Sequence, residues 1–288
     1  MTNRTIKNSI PSEHVNMGPI RLRQPIPSRK IADLDPFILL HHYGPYYIDK
    51  NSNPFDLGPH PHRGFEPITF LFQGEQRHRD SLGNEEVVSA GGVQWTTAGH
   101  GIVHAEGPTK AFIEKGGYLE GIQLWLNLPA AKKLMPANYQ HVKSEEMPTL
   151  MSDDNLIRVK IVSGELNGKI GKIETQTPVN SFIVEAQKGG KHFIELPKNH
   201  QALVYLVAGA AIINNEQLEL NAKQCIEFNM DGDGFTIQAT GNAKLLVLSG
   251  EPLKEPVATY GPFVMNTQPE IIQALNDYEA GKMGYLAP

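Results

Sequence analysis

The octapeptide "PHPHRGFE", residues 59–66, sets His60 and His62 on alternate positions between prolines and just ahead of a glycine. In a β-strand alternate side chains share a face, with Cα atoms roughly 6.6 Å apart. Two imidazoles so placed can both reach one cation at about 2.1 Å. Pro61 faces the other way and has no amide hydrogen, which predicts an edge strand or the start of one. Gly64 permits a bulge that would re-aim His62. Further along, "GIVHAE" puts His104 and Glu106 on one strand face by the same period of two. Three imidazoles and a carboxylate make a donor set that suits Fe(II), and also Mn(II), Ni(II), Cu(II) or Zn(II). An isolated HxH pair reads most simply as two solvated or hydrogen-bonded histidines. The matching HxE in the same block favours a metal.

Seven of the eleven histidines lie between His41 and His104, so the first part of the chain is specifically enriched. His41 and His42 precede "YGP" and read as structural, with the pocket mouth as the alternative. His78 and His100 have no partner at ligand spacing and read as surface or loop residues. Trp95 and Trp125 read as barrel core. The later part has His192, Glu195 and His200, but no HxH and no HxE, and is expected to hold no metal.

These ligands need strands to position them. Twenty-seven glycines and twenty-one prolines punctuate short runs rich in Val, Ile, Phe, Tyr and Thr, the pattern of an all-β sandwich or barrel. One β-rich block contains "ITFLF", "VQWTT" and "GIVHAE"; a second runs from "LIRVKIVSGE" to "AKLLVLSGEPL". Two such blocks predict a duplicated β-barrel. Residues 1–135 are expected to form the barrel with the metal site, 136–252 the second barrel, and 253–288 a tail and helix packing back on the barrels. Leu128 to Leu150, polar and bounded by prolines, is expected as the linker. Thr267 and Glu270 have capping-box spacing, and Ile271, Ile272, Leu275 and Tyr278 follow at helical intervals to Gly281.

Composition narrows the function. With 26 Lys+Arg against 31 Asp+Glu the formal charge is −5, a poor match for a nucleic-acid backbone. Six basic residues among the first thirty (Arg4, Lys7, Arg21, Arg23, Arg29 and Lys30) face only Glu13 and read as a solvated arm. One cysteine, Cys225, excludes an intramolecular disulfide and suits a reducing compartment. The polar N-terminus "MTNRTIKNSI" lacks a signal-peptide core. The longest apolar run, Ala202 to Ile213, is too short for a bilayer. A cytoplasmic protein with no direct nucleic-acid or membrane partner is expected.

The stretches "DPFILLHHYGP", "HPHRGFEPITFLFQGEQRHRDSLG", "GGVQWTTAGHGIVHAE", "GIQLWLNLPAAKKLMPANYQ" and "GPFVMNTQPEIIQAL" together resemble the pirin family of the cupin superfamily, from about Arg21 to Ala280. The resemblance implies a bicupin: two antiparallel jelly-roll barrels with a C-terminal helix and a metal in the N-terminal barrel. Carried over, the family's ligands fall on His60, His62, His104 and Glu106, and Fe(II) is the metal expected first. Glu66 is the ligand of the general cupin HxHx(3)E pattern. The pirin resemblance favours Glu106 and leaves Glu66 to orient a ligand histidine. The resemblance also implies quercetin 2,3-dioxygenase activity, oxygenative ring opening of a flavonol or another enolic or phenolic substrate with dioxygen. Glu106 would then be both ligand and general base. The alternative it implies is a non-enzymatic, metal-dependent regulator that binds a transcription factor or a metabolic enzyme.

Overall fold

The computed structural model describes residues 1–18, 20–53 and 55–287. The fold is mostly β, and packing divides the chain into two units that interleave along the sequence. One unit comprises His14–Leu22, Phe37–Ser144 and the tail from Leu253; the other comprises Met1–Glu13, Arg23–Pro36 and Glu145–Pro252.

In the first unit, Asn138–Val142, Val93–Thr97, Phe65–Gln73, Gly117–Asn127 and Phe37–Ile48 lie side by side in that order, with two short N-terminal strands beyond. A second sheet runs Leu57–His62, Ile102–Pro108, Glu75–Asp80, Glu85–Ser89. In the other unit a seven-stranded sheet includes Gln201–Ala208, Ala243–Gly250 and Val179–Ala186 at its centre. Its four-stranded sheet runs Lys191–Glu195, Gly234–Ala239, Ala211–Ile213, Glu216–Leu218. A seven-stranded and a four-stranded sheet occur in each unit, so the predicted duplication is present.

Alternation gives the two barrels different interiors. In the second, Phe182, Val184, Val204, Leu206, Phe235, Ile237, Leu245 and Val247 all belong to one apolar cluster. Each buried side chain of this size contributes about 1.5–3 kcal/mol. The strand Gly234–Ala239 occupies the place that Ile102–Pro108 holds in the first barrel. It carries Phe235 and Ile237, both at 0% exposure, where the other carries His104 and Glu106.

Three expectations are revised. The N-terminal basic arm is not solvated as a whole, because Ile6–Ile10 pairs antiparallel with Cys225–Phe228. Arg4 is buried, donating to the carbonyls of His200 (2.7 Å) and Pro197 (2.6 Å), and Lys7 pairs with Glu227 at 2.8 Å. The stretch expected as a linker contains Asn138–Val142, which extends the first barrel's sheet by pairing with Val93–Thr97. The C-terminal helix, Gln268–Glu279, has the full capping box, but Ile272 is 58% exposed. Ala274 takes its place beside Ile271, packed on Val103, Phe263 and Met265 of the first unit. Ile271, Ala274 and Leu275 hold one three-to-four spacing, and Ile272 falls off that face. Among the described residues no helix is long and apolar enough to cross a membrane.

Candidate metal centre

His60 and His62 end the strand Leu57–His62, which lies at the edge of the four-stranded sheet, as Pro61 demands. Its neighbour Ile102–Pro108 runs antiparallel and brings His104 opposite His60. The register then slips between His104 and Glu106, so Glu106 stands opposite Leu57. On the other side of the same strand, His104 faces Asp80 and Glu106 faces His78.

The three expected imidazoles converge. Their ligand atoms lie within 4.8 Å of one another, and the His60 and His104 Nε2 atoms are 2.9 Å apart. Two imidazole nitrogens at that separation need a proton or a cation between them. His60 donates from Nδ1 to the Gly58 carbonyl at 2.9 Å, and His62 from Nδ1 to the Pro262 carbonyl at 3.4 Å. Those bonds fix the tautomers and leave both Nε2 lone pairs facing the cluster. His62 Nε2 is buried and has no hydrogen-bond partner. Burial first, and the neighbouring His60 second, push the His62 imidazole down to about 3. His104 is held well below the usual histidine range by burial and then by its histidine neighbours. Both are therefore neutral near pH 7, the form that ligates metals. A partnerless His62 Nε2 beside two Nε2 atoms that can share one hydrogen at most fits a divalent cation.

Glu106 sits beside this trio rather than inside it; its grouping is with His78 and His104, again within 4.8 Å. It is 3% exposed, and Gln94 and Gln123 donate amide hydrogens to its two oxygens. Gln94 also donates to Thr69 Oγ1 at 3.2 Å and accepts from Tyr139 Oη at 3.5 Å. Burial, with the Glu106 charge second, raises the Tyr43 and Tyr139 phenols far above their usual range. Glu106 opens into a cavity walled by Met17, Ile20, Leu22, Phe55, Leu57 and Leu119. Its polar edge includes His41, Gln123 and Tyr43, whose hydroxyl donates to Gln76 at 2.9 Å.

Glu66 does not orient a ligand histidine here. It is fully buried on Phe65–Gln73 and accepts from Thr97 Oγ1 at 2.6 Å, and burial pushes its carboxyl up to about 7. His41 and His42 divide the two roles foreseen for them: His41 lines the cavity, and His42 is buried against Glu120 at 3.1 Å. Trp95 is core, whereas Trp125 is only half-buried, 5.8 Å between ring centres from His62. His100 is exposed as expected.

His78 is the clear correction. It is not a surface residue but is 0% exposed, bonded through Nε2 to Asp80 Oδ2 at 3.0 Å and stacked on Tyr139 at 4.2 Å. The alternation "HRD" carried the signal, since His78 and Asp80 share a strand face just as His104 and Glu106 do.

Gly64 serves approach rather than a bulge. Its φ is +83°, and a Cβ there would lie 2.0 Å from the Val264 carbonyl. The tail strand Phe263–Met265 comes in over it, with Val264 N donating to Arg63 O at 3.0 Å. Buried Lys133 ties both chains together, donating to Gly64 O (2.8 Å), Val264 O (3.1 Å) and Asn127 Oδ1 (2.6 Å). The tail thus delivers the Pro262 carbonyl to His62.

Two barrels built on the same strand order, one lined with imidazoles and a carboxylate and the other with hydrocarbon, define a bicupin with a single candidate ligand cluster among the described residues. The Pirin family model matches residues 19–126 and the Pirin C-terminal cupin domain model residues 182–284; the chain belongs to the pirin family. It is 35% identical to human pirin over 273 residues, 92% of this chain and 88% of that protein. A crystal structure of quercetin 2,3-dioxygenase from Acinetobacter baumannii superposes with a TM-score of 0.91 at 34% identity, covering 99% of this chain and 100% of that one. The bacterial pirin YhhW from Escherichia coli, solved in complex with nickel(II), shares the fold at a TM-score of 0.67 and 17% identity, over 85% of this chain and 99% of that one.

Proposed function

We propose that this chain is a metal-dependent dioxygenase that opens the ring of flavonols such as quercetin, with His60, His62, His104 and Glu106 holding the ion. Fe(II) is the ion proposed first, and Mn, Ni, Cu or Zn suits the same donors. The observation that carries the reading is the convergence of His60, His62 and His104, with His62 Nε2 neutral and partnerless among them, beside a carboxylate that faces an apolar cavity. A bound ion supplies acidification of a ligated hydroxyl and reactivity towards dioxygen.

The chain's own residues do the rest. Met17, Ile20, Leu22 and Phe55 wall a slot that excludes water from a flat aromatic substrate. Glu106, steadied by Gln94 and Gln123, takes the proton from the enolic hydroxyl at its carboxylate. Its two amide donors share the negative charge before the reaction and restrain the carboxyl afterwards. The relative from Acinetobacter that bears the quercetin 2,3-dioxygenase name, at 34% identity, supports the substrate class.

The test is anaerobic loading with Fe(II), then addition of quercetin and oxygen while flavonol absorbance and oxygen uptake are followed. Turnover that depends on the metal and falls in His62→Ala supports the reading. Metal-loaded protein that consumes no oxygen with flavonols or enediols, yet captures a protein partner stoichiometrically, would move it to the regulatory class.

A further inference from the structure

His78 has a nitrogen that nothing in the preceding reading uses. Asp80 settles its tautomer. The Asp80 carboxylate accepts from Leu82 N (2.9 Å), Asn84 N (3.1 Å), Asn84 Nδ2 (2.9 Å) and His78 Nε2 (3.0 Å). The burial of Asp80 is outweighed by these bonds, which keep its carboxyl below the usual range, so it is an acceptor only. In the neutral imidazole, the form that ligates metals, the hydrogen between them belongs to His78 Nε2, and Nδ1 carries the lone pair. That Nδ1 is buried and partnerless, and so is Nδ1 of His104. Leaving such an atom unmatched costs about 1–3 kcal/mol. The Tyr139 ring, stacked at 15° between planes, stops His78 from turning its lone pair elsewhere.

A lone pair in that position needs either a hydrogen or a cation. The ligand atoms of His78, His104 and Glu106 lie within 4.8 Å of one another, and all three side chains are buried. Donors around an ion at about 2.1 Å stand roughly 3–4 Å apart, so small rotations would close the set. Two imidazoles and one carboxylate form the facial donor set of non-haem Fe(II) centres. Two of the three members also have the partner such a ligand requires: Asp80 behind His78, and Gln94 and Gln123 on Glu106.

From this geometry we infer a second, inner position for a divalent transition-metal ion, ligated by His78, His104 and Glu106 and overlapping the outer position of His60, His62, His104 and Glu106. The inference rests on the metal-centre reading, since the two positions share His104 and Glu106. One ion occupies either position in turn: the outer lies next to partly exposed His60, and the inner lies among three buried side chains.

The test uses Co(II), followed by titration calorimetry and by its visible ligand-field spectrum, on the full chain and its variants. In His60→Ala/His62→Ala the outer position is gone, and one equivalent of Co(II) is expected still to bind, with a changed spectrum. Adding His78→Gln is expected to abolish that binding. Adding Asp80→Asn instead, which replaces the acceptor with an isosteric amide and removes the tautomer constraint, is expected to weaken it about 10–100-fold. Circular dichroism must show each variant folded, and the Asp80→Asn arm serves if the triple variant is not. Binding by the unsubstituted chain that vanishes in the double variant, or that survives there untouched by His78→Gln and Asp80→Asn, overturns the inner position alone. No Co(II) bound by the unsubstituted chain removes both positions.

Discussion

Gly64→Ala would strike the joint between the ligand strand and the tail. At φ +83° a side chain costs about 1–2 kcal/mol in backbone conformation alone. The added Cβ would also stand 2.0 Å from Val264 O and 2.7 Å from Met265 Sδ, so the tail strand must move out. That movement breaks the Val264–Arg63 hydrogen bond, about 1 kcal/mol, and stretches the Lys133 ammonium from Gly64 and Val264, about 1.5–3 kcal/mol. The sum is about 3.5–6 kcal/mol of lost stability. Pro262, next to the displaced strand, would no longer accept from His62 Nδ1, and loss of such an orienting partner costs about 10–100-fold in metal affinity. Guanidinium unfolding gives the first quantity and Co(II) titration of the folded protein the second. Gly83→Ala is the control, because Gly83 has φ +90° with nothing within 4 Å of its added Cβ and isolates the backbone cost. If Gly64→Ala were no less stable than Gly83→Ala and bound Co(II) equally well, the tail would have no part in holding His62.

Three further outcomes follow from the same contacts. Glu106→Gln is expected to lower the rate of flavonol loss about 100-fold or more at saturating metal, because it removes the proton acceptor; rate and Co(II) affinity measured together separate that effect from lost ligation. The metal-free protein is expected to lose stability as pH falls from 6.5 towards 3, about 3 kcal/mol by pH 4.5 from His62 alone, since the unfolded chain takes up a proton that the folded imidazole refuses; denaturant titrations at pH 7 and 4.5 check it. Glu66 runs the other way: its folded value is raised to about 7, so its contribution is full below 4.5 and is lost as pH rises through 7. Glu66→Gln should therefore gain on the parent by about 3 kcal/mol between pH 5 and 8, read by the same titrations.

Strand periodicity made the duplicated all-β fold legible, and it set His60, His62 and His104 on faces that the register does bring together. It could not show which strands become neighbours. His78 and Glu106 come from segments joined only by the antiparallel pairing of Glu75–Asp80 with Ile102–Pro108, so a search for close spacing passed His78 by. Glu66 was misplaced for a related reason: proximity in sequence to HPH says nothing of the Thr97 hydroxyl that claims it. The supposed linker failed because prolines bound an edge strand as readily as a loop. The cavity walls come from strands far apart in the chain, which no local pattern links.

Anomalous diffraction from crystals of the full chain loaded anaerobically with one equivalent of Fe(II) addresses the metal directly. The account predicts one iron bonded to His104, with His60, His62 and Glu106 around it or with His78 and Glu106 in the inner position. Iron bound elsewhere on the chain, or none in the first barrel at saturating concentration, would contradict it.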